Sequence, residues 1–214
     1  MEQKLTGVPG AAVRGTASGV FFMAVFGTLW AYTGIMGLQG WGLPLLLIAA
    51  VAIGAALVFG GVYLIRSSRA LPVQSAEADP RFGNRTRFRF NVIFAAEGIA
   101  IAIAIAICNA VRHTELIPLI IAIIVGVHFF PLAPLFKVGL YHVTGALLCL
   151  LSIVTWVFVP EKVLLEGHEI LTYMTVVGLG SALILWATGL SIWLMGKKLL
   201  NTAAHSRTET LHPR

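Results

Sequence analysis

Two ionisable residues, Glu97 and His128, interrupt long apolar stretches of this 214-residue chain. A carboxylate and an imidazole can accept and release protons, and an imidazole can also bind a metal or a haem iron. A charged side chain at the centre of a bilayer costs about 2.5–3.5 kcal/mol on insertion scales. If these stretches cross a membrane, both side chains must face the protein interior, pair with each other or stay neutral.

The composition is typical of a membrane protein. Hydrophobic residues make up 58% of the chain and charged residues 11%, with a mean hydropathy of +0.89. Soluble domains carry about 25% charged residues, so this chain falls outside their range. We expect an all-α membrane protein, a bundle of six transmembrane helices that forms one domain. The six predicted spans are residues 18–37, 43–65, 91–111, 116–136, 138–159 and 170–195.

The distribution of lysine and arginine predicts that both termini are cytoplasmic. Thirteen of the 15 basic residues lie in the tails 1–17 and 196–214, in the loop 66–90 or near residue 137. The other side holds two, Arg112 and Lys162. Because cytoplasmic segments carry the excess of positive charge, this asymmetry fixes the orientation.

The loop 66–90 is predicted to be a cytoplasmic, arginine-rich connection. Its arginines alternate with phenylalanines, which favours either contact with anionic lipid head groups or a simple topology anchor. Anionic lipid head groups are therefore the expected partners of the net charge of +6. No zinc-finger spacing or basic recognition helix points to nucleic acid. The predicted head-group contacts are Arg81, Arg85, Arg87 and Arg89.

Counting along the spans predicts that the two ionisable residues meet. At 1.5 Å per residue, Glu97 lies about 10 Å and His128 about 12 Å from the cytoplasmic edge, on neighbouring antiparallel helices. Thr188 falls near the depth of Glu97, and His142 lies shallower, about 6 Å from the same edge. Both are predicted to lie around the pair. Pro131 and Pro134 also belong to this group.

The two prolines follow His128 within its own span. Each removes a backbone hydrogen bond and clashes with the carbonyl four residues back, which frees the carbonyls of Val127 and Phe130. A kinked helix with free carbonyls beside a histidine predicts a polar cavity.

Three functions remain open for this group. The pair serves proton exchange in a small permease or carrier, or it only fixes two helices of a scaffold or accessory subunit. Alternatively, His128 and His142 are axial ligands in a haem-binding electron carrier. The chain contains no spacing typical of a metal site, hydrolase or phosphate loop, so we predict neither cofactor nor metal and do not favour an enzyme. Substrate and oligomeric state stay undetermined.

The run from Val127 to Ala133, following Ala96-Glu97-Gly98 on the previous span, resembles small uncharacterised bacterial multi-pass membrane proteins. The resemblance covers spans three to five. It implies a location in a bacterial cytoplasmic membrane, and it supplies no activity and no catalytic residues.

Overall fold

In the computed structural model, the described residues are 10–69, 80–165 and 167–211. Side chains are described for these residues with the exception of Ala11, 80–84 and 204–211.

The described chain consists of six α-helices, one 3₁₀ turn and one two-stranded hairpin. All six helices are long and apolar enough to cross a membrane. The chain is therefore a multi-pass helical membrane protein, which confirms the predicted class. The elements are α1 (Gly10–Gly37), α2 (Leu43–Ser68), α3 (Pro80–Ala110), a 3₁₀ turn (Thr114–Leu116), α4 (Ile117–Phe136), α5 (Leu140–Phe158), β1 (Lys162–Leu165), β2 (His168–Leu171) and α6 (Thr172–Leu211).

Four helices extend beyond the predicted spans, α2 by only three residues and the other three by much more. α1 begins at Gly10 instead of residue 18, α3 begins at Pro80 instead of 91, and α6 continues to Leu211 instead of 195. Hydropathy detects the part of a helix that lies in lipid, whereas arginine and other good helix formers continue the helix in water. The expectation that residues 66–90 form a loop is therefore corrected, since the arginine-rich half of that segment is the first part of α3.

A β-hairpin replaces the irregular loop expected between α5 and α6. β1 and β2 pair antiparallel, with Lys162 opposite Leu171 and Leu165 opposite His168. Gly167 in the connection has a φ of +84°, a left-handed conformation that favours glycine. Four-residue strands are too short to show a pattern in the sequence, and pairing satisfies their backbone groups at the membrane surface.

One ion pair joins the two strands of the hairpin. Lys162 Nζ lies 2.7 Å from Glu169 Oε1. The hydrogen bond to Glu169 and then the charge of that carboxylate raise the pKa of Lys162 above its ordinary value. Since the folded pKa is raised, the pair stabilises the hairpin below the ordinary lysine pKa. That contribution is lost as the pH rises through the raised value.

We expect Glu169→Gln to lower the titration midpoint of Lys162 towards that of a free lysine. The measurement is an NMR titration of the labelled lysine side chain in the full-length protein. Glu161→Gln is the control, because Glu161 acts on Lys162 through charge alone and should shift the midpoint less. Equal midpoints in the wild type and in Glu169→Gln would show that the ion pair does not form.

The most extensive helix packing joins α1 to α6. The two helices are antiparallel, because Gly19 lies against Ile192 and Gly37 lies against Thr175. At their crossing, Gly34 and Gly178 face each other so closely that a Cβ on Gly178 would overlap the backbone nitrogen of Gly34. Small residues allow such close approach in membrane helices, and this contact joins the two helices through their backbones.

The antiparallel pairs define two sides of the bundle. The start of α1, the end of α2, the start of α3, the α4–α5 connection and the end of α6 lie on one side, called here the terminal side. The α1–α2 and α3–α4 connections and the hairpin lie on the opposite side, called here the hairpin side.

α3 is the outermost helix of the described bundle. Its main packing partner is α4, and Phe90 also contacts the ring of Phe22 on α1. Large apolar side chains such as Ile99 and Ile103 are exposed on its outer face, as expected for a helix in contact with lipid. The run in which alanine and isoleucine alternate is part of this helix. α3 meets the rest of the protein mainly through the face that carries Glu97.

Candidate functional site

The inner face of α3 brings Glu97 to α4. Phe90, Ile93, Glu97 and Ile101 recur at helical spacing and are less exposed than their neighbours on the outer face. The facing residue on α4 is His128. The exposed fraction of the side chain is 9% for Glu97 and 14% for His128, so both are largely shielded.

The structure places Glu97 and His128 in direct contact. His128 Nδ1 lies 3.2 Å from Glu97 Oε1 and 2.8 Å from the backbone oxygen of Val125. A carbonyl oxygen can only accept a hydrogen bond, so Nδ1 carries a hydrogen and donates it to Val125. Glu97 Oε1 lies at ion-pair distance from the same nitrogen. This geometry assigns the first proton of the imidazole to Nδ1, and a second proton would be carried by Nε2.

The surroundings of His128 differ in detail from those predicted. The carbonyl that binds the imidazole is that of Val125, three residues earlier, and not one of the two carbonyls freed by the prolines. α4 continues as a helix through Pro131 and Pro134 to Phe136, and both prolines are exposed. Because His128 is at i+3 from Val125, its side chain can reach this carbonyl without any break in the helix.

His142 and Thr188 do not join the pair. His142 is exposed, and its ring stands perpendicular to that of Phe130, with centroids 6.0 Å apart. Thr188 is buried and makes a 2.8 Å hydrogen bond with Thr144 between α5 and α6. Depth along the chain leaves the rotation of each helix undetermined, and rotation turns these two side chains elsewhere.

The Thr144–Thr188 hydrogen bond is expected to stabilise the contact between α5 and α6. Replacing either residue with valine removes the bond and keeps the shape. A double-mutant cycle on the free energy of unfolding in micelles should give a coupling of about 0.6 kcal/mol, the average for such bonds in membranes. Additive single and double changes would contradict the bond. Thr202→Val is the control, because the Thr202 hydroxyl bonds only within its own helix and is exposed.

Aromatic rings enclose the pair on the α5 side, and the sequence did not predict this. The ring of Phe129 lies 4.7 Å from that of His128 and 5.6 Å from that of Tyr141, measured between centroids. Phe129 and Tyr141 are buried. The signal available in the sequence was the proximity of Phe129 to His128 along the chain, which does not by itself indicate a shared environment.

One proton can move between Glu97 and His128 without changing the net charge of the pair. A neutral carboxyl with a neutral imidazole and a carboxylate with an imidazolium both sum to zero. Addition or removal of one proton changes the total by one unit, which is costly in a bilayer unless another ion moves as well. An arrangement of this kind suits the coupling of proton binding to the movement of a second solute.

The arginines assigned to lipid head groups lie at the start of α3. Arg85, Arg87 and Arg89 are exposed, and Arg85 and Arg89 share one face because they are four residues apart. The side chain of Arg81 lies outside the described residues. In residues 10–69, 80–165 and 167–211, no three His, Cys, Asp or Glu side chains lie close enough together to hold a metal ion.

The class defined by fold and site is a multi-pass helical membrane protein with an ionisable pair between two of its spans. Residues 89–188 match the model of a family of unknown function (DUF7010). This segment contains Glu97 and His128 and extends from the start of α3 to the middle of α6, which fits an uncharacterised multi-pass protein. No curated protein and no solved structure matches the chain.

Proposed function

We propose that this protein is a small proton-linked permease or carrier in which Glu97 accepts the proton and His128 is its partner. The observation that carries the proposal is the 3.2 Å contact between Glu97 Oε1 and His128 Nδ1 within the apolar bundle. Ionisable residues inside transmembrane segments usually serve ion or substrate pathways, because their cost selects against them elsewhere.

The position of the pair supports a movable site. Glu97 belongs to the outermost helix, so a small displacement of α3 from α4 exposes the carboxylate without disturbing the α1–α6 contact. Pro131 and Pro134 weaken the part of α4 that follows His128 in the chain, since neither can donate a backbone hydrogen bond. We infer that this end of α4 and the facing part of α3 are the moving parts.

The proposed orientation puts the terminal side in the cytoplasm. Most lysines and arginines of the chain belong to segments on this side, and membrane proteins retain such segments in the cytoplasm. Arg85 and Arg89 then lie at the level of the inner head groups, about 12 Å or more along α3 from Glu97. The site would be closer to the cytoplasmic surface.

The test is a pH jump on proteoliposomes that contain the purified protein and a trapped pH-sensitive dye. A panel of external solutes, one per chemical class, is added under a proton gradient. A carrier moves protons at a rate that depends on one of these solutes. If no solute raises the proton flux of the proteoliposomes above the flux of protein-free liposomes, the proposal is refuted.

A second candidate function is that of a non-catalytic scaffold, in which the pair fixes α3 to α4. The observation that favours it is that α3 has few other contacts with the bundle among the described residues. In that case substitution of Glu97 should lower the thermal stability of the purified protein. The proton flux of both the wild type and the variant should equal that of protein-free liposomes.

A further inference from the structure

A cavity of about 390 Å³ opens on the hairpin side, between the start of α4 and the start of α6. Its volume lies within the range of about 300–1,000 Å³ that small-molecule pockets occupy. It is separate from the Glu97–His128 pair, since Pro118 at its edge is ten residues, or about 15 Å, from His128 along α4. Its lining includes Glu115, Glu161, Lys162, Pro118, Tyr173 and Met174.

The charges around the cavity leave it negative. Lys162 is engaged by Glu169, 2.7 Å away, and Glu169 does not line the cavity. Two carboxylates, those of Glu115 and Glu161, remain on the cavity wall. After the larger effect of Glu169, the charges of Glu161 and Glu115 also raise the pKa of Lys162.

Glu115 is held in place by a neighbour. Its Oε1 lies 2.7 Å from His113 Nδ1, and the exposed fraction of its side chain is 25%. His113 is mostly exposed, at 63%, so it positions the carboxylate from the solvent side. The carboxylate also accepts a hydrogen bond from its own backbone N–H. Its remaining lone pairs can accept from a ligand.

The rest of the lining is largely apolar, with Thr114 as a further polar residue. Pro118, Tyr173 and Met174 form the part of the wall where α4 and α6 begin. Proline and methionine bind hydrocarbon, and the face of a tyrosine ring attracts a cation. The lining therefore combines a negative rim with an apolar floor.

We propose that this cavity binds a small organic cation: a primary ammonium group between Glu115 and Glu161, with a short hydrocarbon chain against Tyr173 and Met174. A bare metal ion fits less well, because the cavity is much larger than an ion and a third ligand of the usual types is lacking among the described residues. The inference does not depend on the proposed carrier function.

The experiment measures binding of n-butylammonium to the full-length protein in lipid nanodiscs by ligand-observed NMR, with empty nanodiscs subtracted. n-Butanol and pentanoate carry the same butyl chain with a neutral and a negative head group. We expect saturable binding of n-butylammonium and weaker binding of the other two, by about two- to thirtyfold for n-butanol and more for pentanoate. Equal binding of n-butanol, or no saturable binding of n-butylammonium, would overturn the proposal.

Removal of the carboxylates should weaken binding stepwise. Exposed ion pairs are weak, so Glu115→Gln and Glu161→Gln should each reduce affinity about 1.5- to fivefold, and the double variant more. Glu209→Gln is the matched control, because it lies 36 residues, or about 54 Å, along α6 from Tyr173. Wild-type affinity in both single variants would also overturn the proposal, whether or not the double variant folds.

Discussion

Replacing Glu97 with glutamine is expected to reduce proton-linked flux to the level of protein-free liposomes, while the protein still folds and inserts. Glutamine has the shape of glutamate and can keep the contact with His128, whose Nδ1 lies 3.2 Å from Glu97 Oε1. It cannot take up or release a proton, so the helix contact persists and the exchange stops. The measurement is the dye-based flux assay in proteoliposomes, at equal protein content.

The control is Glu169→Gln, the same chemical change on the exposed hairpin. It should leave proton flux unchanged, because Glu169 lies on the hairpin side and away from the pair. Flux in Glu97→Gln equal to that of the wild type would exclude Glu97 as the proton acceptor. A loss of thermal stability in the same variant, together with unchanged flux, would support a purely structural role.

Gly178→Ala is expected to be the most destabilising glycine-to-alanine change in the bundle. The added Cβ would overlap the backbone of Gly34, and a backbone atom cannot rotate away as a side chain can. α1 and α6 must then separate along their longest contact. Overpacking of this kind costs about 1–3 kcal/mol, and we expect the upper end of that range. The measurement is thermal unfolding in detergent, followed by size-exclusion chromatography of the surviving protein.

Gly15→Ala is the matched control for this prediction. No atom lies within 4 Å of a Cβ built on Gly15, which is also in α1. Alanine is favoured over glycine inside a helix by about 0.5–1 kcal/mol, so this variant should be as stable as the wild type or slightly more stable. Equal melting of Gly178→Ala and Gly15→Ala would show that the two helices are not in backbone contact at Gly34.

The spans of this protein could be predicted because lipid imposes a simple requirement on them. Each needs an apolar stretch of about 20 residues, and all six such stretches are helices in the structure. The ends of α1, α3 and α6 could not be predicted in the same way. Beyond the lipid, helix length depends on local propensity and on the following connection, and neither has a sharp sequence signal. The hairpin was missed for a related reason, since its strands have only four residues each.

The contact between Glu97 and His128 was predictable because it depends on depth and on helix adjacency. Consecutive antiparallel spans bring residues of equal depth close together, and the cost of burying a lone charge favours a pair. Which other residues surround the pair was not predictable. His142 and Thr188 were predicted to lie around the pair, but packing turns one outwards and the other towards Thr144. Helix rotation follows from the complementary shapes of neighbouring helices, which a single sequence does not display.

The infrared absorption of the Glu97 carboxyl group is the most direct test of the proposed proton site. The C=O band of this group is obtained as the difference between the wild type and Glu97→Gln, recorded in lipid as the bulk pH is varied. If the pair shares a proton, the band should respond to pH in the wild type, and both its frequency and its pH response should change in His128→Gln. A Glu97 band that is the same in the wild type and in His128→Gln at every pH would contradict the proposed site.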